Sequence, residues 1–117
     1  MGVAALFVVA SAAYADVRFV GQSQASPQLK RDVLTAIAGY SRAAHACGAI
    51  TTIESALLGK EYEPKTPMYR VSAPQHSYER WVAELCGTKR AFLVALWPAV
   101  QGGADYKIVE VPLGTEP

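Results

Sequence analysis

Residues 78–111, YERWVAELCGTKRAFLVALWPAVQGGADYKIVEV, decide the fold of this chain. Two runs rich in β-branched, aromatic and apolar residues, 78–86 and 89–97, flank Gly87-Thr88. Glycine at the first position of a two-residue loop is typical of a type II′ turn, so these runs predict a β-hairpin. A second hairpin is predicted at 101–104, QGGA, and returns through residues 106–111. Three antiparallel strands follow.

The two predicted turns imply a register, and a register assigns each side chain to one face of the sheet. With Cys86 opposite Lys89, one predicted face is apolar and holds Trp81, Ala83, Leu85, Phe92, Val94, Leu96, Val109 and Val111. The other predicted face is mixed and holds Tyr78, Arg80, Val82, Glu84, Cys86, Leu93, Ala95, Trp97, Ile108 and Glu110. We expect a helix to pack on the apolar face.

A long helix is predicted upstream of this sheet. Ser26 is a typical N-cap and Pro27 suits the first helical position. One apolar stripe follows at steps of four and three residues, with Ser41 off it: Leu29, Val33, Ile37, Tyr40, Ala44 and Cys47. Gly48 is the expected stop, which makes the helix about 20 residues long. Short strands are predicted at 16–21, 49–58 and 68–72, with loops at 59–67 and 73–77.

These elements predict an α+β fold, with one long helix packed across a curved antiparallel sheet of about four strands. That layout is shared by cystatin-like and nuclear-transport-factor-like folds, and a shared fold does not specify a function.

Residues 1–15 are expected to be a secretion signal. They carry no charged side chain, and their apolar run ends in Ala13-Tyr14-Ala15, the small-x-small pattern that signal peptidase cleaves. The run is shorter than the roughly 20 residues that span a bilayer. The alternative is a buried strand or helix of the domain itself. Cleavage would leave a single domain, 16–117, in the periplasm or outside the cell, without stable membrane insertion.

Cys47 and Cys86 are the two cysteines, and in an exported chain an even count favours a disulfide over two buried thiols. The predicted register conflicts with this pairing, because it places Cys86 on the face away from the helix. The turn is longer than predicted, or Cys86 lies at a strand end where the chain wraps round the edge, or the helix covers the mixed face. We favour the strand end, since cysteine Cα atoms need only approach within about 7 Å.

Composition and motifs exclude several classes of function. Eleven basic and ten acidic side chains leave a net charge of +1, which argues against nucleic acid as a partner. His45 and Cys47 have no second pair at ligand spacing, so we expect no metal. The sequence contains no Gly-x-Ser-x-Gly elbow or phosphate-binding loop, and we expect no cofactor and no enzymatic activity.

The mixed face holds the candidate binding residues, which are Tyr78, Arg80, Glu84, Trp97, Tyr106 and Glu110. The aromatic residues pack within the sheet or line a shallow pocket, where aromatics and Arg are common anchors. Glu84 and Glu110 form cross-strand ion pairs with Arg80, or divide the roles of acid and base in a partly apolar cleft.

Residues 79–87, ERWVAELCG, together with 92–94, FLV, and Gly102-Gly103, resemble a pattern of small exported proteobacterial proteins of unknown function. The resemblance covers roughly the last 40 residues. It implies export and an α+β shape, and it implies no activity.

The predicted function is therefore a non-enzymatic domain that binds a protein partner or small ligand of the cell envelope through the mixed face. Two alternatives stay open: a small enzyme that uses Glu84 and Glu110 in a pocket, and a structural subunit of an envelope complex.

Overall fold

The computed structural model describes residues 16–114, so the predicted signal peptide lies outside the described residues. One helix and five strands follow in chain order: β1 (Arg18–Gly21), α1 (Pro27–His45), β2 (Ile50–Leu57), β3 (Ser77–Leu85), β4 (Thr88–Pro98) and β5 (Ala104–Val111). The strands form one sheet in the order β1-β2-β3-β4-β5. The α+β class is confirmed, but the sheet has five strands and is mixed, because β1 pairs with β2 in parallel.

Helix α1 begins where the sequence predicts. The Ser26 hydroxyl accepts the Leu29 amide at 3.1 Å, and Pro27 occupies the first turn. The helix ends at His45, before Gly48, because Ala46 adopts the left-handed conformation (φ 61°) that terminates it. Its buried stripe is Leu29, Val33, Leu34, Ile37, Ala38 and Ser41. Placing Ser41 off the stripe was wrong, since the stripe runs in steps of four from Leu29 through Ser41.

The β3–β4 hairpin turns one residue earlier than predicted. Cys86 and Gly87 form the turn with φ of 51° and 80°, the signs of a type I′ turn rather than type II′. Leu85 therefore pairs with Thr88, and each predicted pair shifts by one residue on both strands. Because both strands shift by one residue, the same residues still lie on the same face. The predicted apolar face of β3 and β4 is confirmed: Trp81, Ala83, Leu85, Phe92, Val94 and Leu96 pack with α1.

The faces predicted for β5 are wrong. Pro98 pairs with Ala104, so the β4–β5 connection is five residues long instead of two. Because of this length, each side chain of β5 lies on the face opposite to the one predicted. Val109 and Val111 lie opposite Leu93 and Ala91 on the face away from the helix, and Tyr106, Ile108 and Glu110 lie on the helix side.

The sheet is covered on both faces. We call the side that packs against α1 the helix face and the opposite side the loop face. Residues 58–76, which connect β2 to β3, fold over the loop face and contribute Leu58, Tyr62, Tyr69 and Val71 to a second apolar cluster around Tyr78 and Leu93. The strand predicted at 68–72 is absent from this segment. Pro67–Tyr69 forms a 3-10 turn, closed by the Arg70 amide on the Pro67 carbonyl.

Cys47 and Cys86 form the predicted disulfide, with 6.5 Å between their Cα atoms. The conflict over its side of the sheet disappears because Cys86 belongs to the turn. A turn residue lies outside the alternation of a strand, so the register does not decide where its side chain points. Across residues 16–114, no helix is long and apolar enough to cross a membrane.

Candidate functional site

The six candidate residues do not share one face. Tyr78, Arg80, Glu84 and Trp97 lie on the loop face, whereas Tyr106 and Glu110 lie on the helix face. The expectation that Glu84 and Glu110 share a cleft with Arg80 is therefore wrong. An acid–base pair made of these two carboxylates is not brought together by the fold.

Glu110 forms a polar cluster with the end of α1. One carboxylate oxygen accepts from the Tyr40 hydroxyl at 2.9 Å and contacts His45 Nε2 at 2.7 Å, and the other accepts from Arg90 at 3.3 Å. Burial favours the neutral carboxyl, but the hydrogen bonds from His45 and Tyr40 outweigh it and hold the pKa of Glu110 below its ordinary value. Every oxygen of this carboxylate is engaged, and the cluster fastens the helix end to β5.

Tyr78 is buried and organises the loop-face segment. Its hydroxyl donates to Glu63 at 3.3 Å and accepts the Val71 amide at 3.1 Å. Glu63 also binds His76 Nε2 at 2.8 Å, and the other ring nitrogen of His76 lies 2.6 Å from the Ala73 carbonyl. Tyr78 thus holds residues 58–76 on the sheet and is not open to a ligand.

Arg80 and Glu84 also lie apart. The Arg80 guanidinium donates to the Leu113 carbonyl, which holds the segment after β5 against the loop face. Glu84 lines a depression of about 120 Å³ with Thr52, Glu54, Val82 and Lys89, too small for a typical ligand. The mixed face predicted to bind a partner is therefore largely occupied by the chain itself.

A larger cleft opens at one end of the sheet, where the start of α1, the start of β3 and the β4–β5 hairpin meet. Its volume is about 380 Å³. Its walls are Gln24, Leu29, Gln75, His76, Ser77, Leu96, Trp97, Pro98, Gly103 and Ala104. Trp97 is the one predicted candidate among them, and it lies half-buried at the rim.

No protein family model, no curated protein and no solved structure matches the chain. Within residues 16–114, no group of three or more His, Cys, Asp or Glu side chains is placed to hold a metal ion. The cleft and its surroundings are therefore interpreted from their own chemistry.

The wall of the cleft contributed by residues 23–24 is held by a buried carboxylate, Glu79. It is fully buried and accepts the Ser23 hydroxyl at 2.7 Å, the Gln24 amide at 2.7 Å and Trp81 Nε1 at 2.8 Å. The two carboxylate oxygens together accept all three hydrogen bonds. The Gln24 side chain in turn accepts from the Ser77 hydroxyl at 3.1 Å.

Sequence reasoning missed Glu79, although a signal was present. Glu79 alternates with Trp81, Ala83 and Leu85 along the same strand, so the sequence already places its carboxylate on the predicted apolar face. An acidic residue on a buried face requires donors from elsewhere in the chain. Two of its three donors come from a segment 55 and 56 residues away, which no local pattern identifies.

Gly21 allows that segment to reach Glu79. It has φ of 94°, and a Cβ atom there would lie 2.0 Å from the Ser55 carbonyl oxygen. The Ser55 hydroxyl then donates to the Gln22 carbonyl at 2.7 Å. The chain therefore turns sharply out of β1 and passes directly over β3.

Proposed function

We propose that this protein is an exported, disulfide-stabilised domain that binds a small uncharged ligand in the cleft beside Trp97. The observation that carries the proposal is the lining of the cleft, which contains apolar residues and no Lys or Arg. Its volume of about 380 Å³ lies in the range of small-molecule sites, about 300–1,000 Å³. Two depressions of similar volume, about 350 and 370 Å³, are lined by Lys60 and by Arg70 and Lys107 respectively. The cleft replaces the mixed face, which residues 58–76 cover, as the candidate binding surface.

The chemistry of the walls supports an uncharged ligand with an apolar body. Leu29, Leu96 and Trp97 supply apolar and aromatic surface, and the amides of Gln24 and Gln75 supply hydrogen-bonding groups at the rim. Among the lining residues, His76 alone is ionisable. Both of its ring nitrogens are engaged, by Glu63 and the Ala73 carbonyl, so neither is directed at a ligand.

The polar part of the site is also preorganised. The Gln24 backbone is anchored to buried Glu79, and its side chain is already oriented by Ser77. A group held in place before binding loses little conformational freedom when a ligand arrives, which favours affinity.

Two tryptophan substitutions in one segment test the site. A library of uncharged amide-bearing fragments, screened by amide chemical shifts, should perturb Gln24, Ser77 and Trp97. Q24W fills the cleft yet keeps the backbone bond to Glu79, so it should abolish these perturbations. Q22W is the matched control, because Gln22 is exposed and does not line the cleft, and it should leave them unchanged. Perturbations that survive Q24W, or that map elsewhere, would refute the site.

The exported part of the proposal is tested by the N-terminus of the protein made in its native host. We expect a mature form that begins at Asp16, with a mass that rises by two hydrogen atoms when the disulfide is reduced to two thiols. An uncleaved Met1 form in the native host would contradict export.

A further inference from the structure

The outer edge of β5 is open for strand pairing. β5 is the last strand of the sheet and pairs with β4 over eight residues without a register shift. No backbone hydrogen bond outside that ladder involves residues 104–111, within the part of the chain that the structure describes. Proteins usually protect long edges with charged side chains, a bulge, a proline or a covering segment, because open edges pair with other strands. β5 carries charges at Asp105, Lys107 and Glu110, but it contains no proline and no bulge.

The backbone groups that point outward can be assigned. The Ala99 amide donates to the Gly103 carbonyl at 3.1 Å, which continues the β4–β5 ladder beyond Pro98. Bonded pairs alternate along an antiparallel ladder, so the odd-numbered residues Lys107 and Val109 are bonded to β4. Tyr106 and Ile108 therefore direct their amides and carbonyls outward, while their side chains pack beside the core under α1.

We propose that β5 pairs with β5 of a second copy of this chain, antiparallel, with Tyr106 opposite Tyr106. The charge pattern of the strand selects this partner and this register. A two-fold axis normal to the sheet keeps both helix faces on one side, so residues of the same parity lie opposite each other. Three central registers satisfy this condition, with Tyr106, Lys107 or Ile108 opposite itself.

Only one of the three registers is favourable electrostatically. With Tyr106 at the centre, Asp105 of each copy lies directly opposite Lys107 of the other, which makes two reciprocal ion pairs on the loop face. Centring on Lys107 places two ammonium groups opposite each other, which is destabilising. Centring on Ile108 leaves both charges opposite apolar residues, Val111 and Val109.

The neighbours of these charges are compatible with pairing. Asp105 is exposed, and Lys107 donates to the Met68 carbonyl at 2.9 Å, which keeps its side chain on the loop face. The Tyr106 pair also has outward peptide groups in both copies, so it makes two backbone hydrogen bonds. The result is a continuous ten-stranded sheet. This proposed pairing does not depend on the cleft being a ligand site.

Concentration-dependent measurements on the 16–117 form test the pairing. Sedimentation velocity between 10 µM and 1 mM should show a weak dimer. The amides of Tyr106 and Ile108 should gain hydrogen-exchange protection as the dimer forms, and those of Lys107 and Val109 should not change. A monomer throughout this range would overturn the proposal, as would a dimer without selective protection.

A charge swap tests the register. D105K places lysines opposite each other and K107D places aspartates opposite each other, so each single variant should weaken the dimer about tenfold, from roughly 1.4 kcal/mol over two pairs. The double variant D105K/K107D restores both pairs and should recover the wild-type dissociation constant. Circular dichroism confirms that the variants fold. Folded single variants that dimerise normally, or a double variant that does not recover, would overturn the register.

Discussion

Glu79 shows how one residue controls the geometry of the cleft. Its carboxylate is fully buried and accepts three hydrogen bonds, two of them from the segment that joins β1 to α1. The glutamate and tryptophan of the ERW stretch therefore have a structural role on the helix face, and Arg80 between them reaches the Leu113 carbonyl on the loop face.

Substitution of Glu79 by glutamine should destabilise the fold. The amide nitrogen of E79Q would face a donor, which loses a hydrogen bond and leaves a buried polar group unpaired, at a cost of about 2 kcal/mol. E84Q is the matched control on the same strand, because the Glu84 side chain makes no hydrogen bond within residues 16–114, and it should change stability by less than about 0.5 kcal/mol. Urea unfolding measures both. Equal stability of the two variants would contradict the role of Glu79.

Substitution of Ser41 by alanine should instead stabilise the fold. It is fully buried on α1, and its hydroxyl has no hydrogen-bond partner among the described residues. S41A removes this unpaired group and improves helix propensity, so we expect a gain of about 1 kcal/mol in the free energy of unfolding. T35A on the exposed side of α1 is the control: it also gains helix propensity but removes a hydroxyl that donates to the Arg31 carbonyl at 2.9 Å, so it should give less. A destabilised S41A would show that the hydroxyl is needed.

At the scale of elements, an ionic contact within the segment 58–76 joins Glu63 to His76, the residue that precedes β3. The hydrogen bond to Glu63, and next the one to the Ala73 carbonyl, raise the pKa of His76 above its ordinary value. The hydrogen bond from His76 lowers the pKa of Glu63. Both acceptors suit the doubly protonated ring, because each nitrogen then donates. Tyr78 and Arg70 are the other ionisable groups that act on Glu63.

The pH dependence of this contact follows from the sign of each shift. A raised His76 pKa stabilises the segment fully below the ordinary histidine value near 6.5, and this stabilisation is lost as the pH rises through the folded value. The Val71 amide, bonded to Tyr78, reports on the segment. Its exchange protection factor should fall from pH 6 to pH 8.5 by up to about fivefold, because the pair is partly exposed.

Variants separate this effect from general pH dependence. H76Q should remove the pH-dependent fall in Val71 protection. H45Q is the matched control, because His45 contacts Glu110 at the other end of α1 and not the segment. Loss of the pH dependence in H45Q, or its persistence in H76Q, would assign the effect to another group.

At the scale of the whole molecule, the disulfide joins the end of α1 to the β3–β4 turn. Cys47 and Cys86 are 39 residues apart, and a closed loop of that length stabilises a fold by about 4 kcal/mol in the chain-entropy account. The variant C47S/C86S should lose most of this stabilisation, as measured by urea unfolding. The reduced wild-type protein should show the same free energy of unfolding as the variant. A loss below about 1 kcal/mol in both would mean that packing already fixes the helix end.

Much of the architecture was predictable because its signals are local. Ser26-Pro27 starts α1 through a cap that needs only neighbouring residues, and the alternation of β3 and β4 assigns Trp81 and Phe92 to the core. The hairpin turn was placed one residue late, yet the face assignment survived because alternation has a period of two. The end of α1 was placed late because Ala46 adopts a backbone conformation more typical of glycine.

The sequence by itself determined the α+β class, the position of the helix, the apolar face of β3 and β4, and the pairing of Cys47 with Cys86. Only the tertiary structure decided which faces Tyr106 and Glu110 occupy, because a five-residue connection in place of a two-residue turn inverts β5. It also decided that residues 58–76 cover the mixed face, and that a segment 55 residues away completes the hydrogen bonds of Glu79. These outcomes depend on contacts between distant parts of the chain, and hydrophobic periodicity describes only the part of the chain in which it is found.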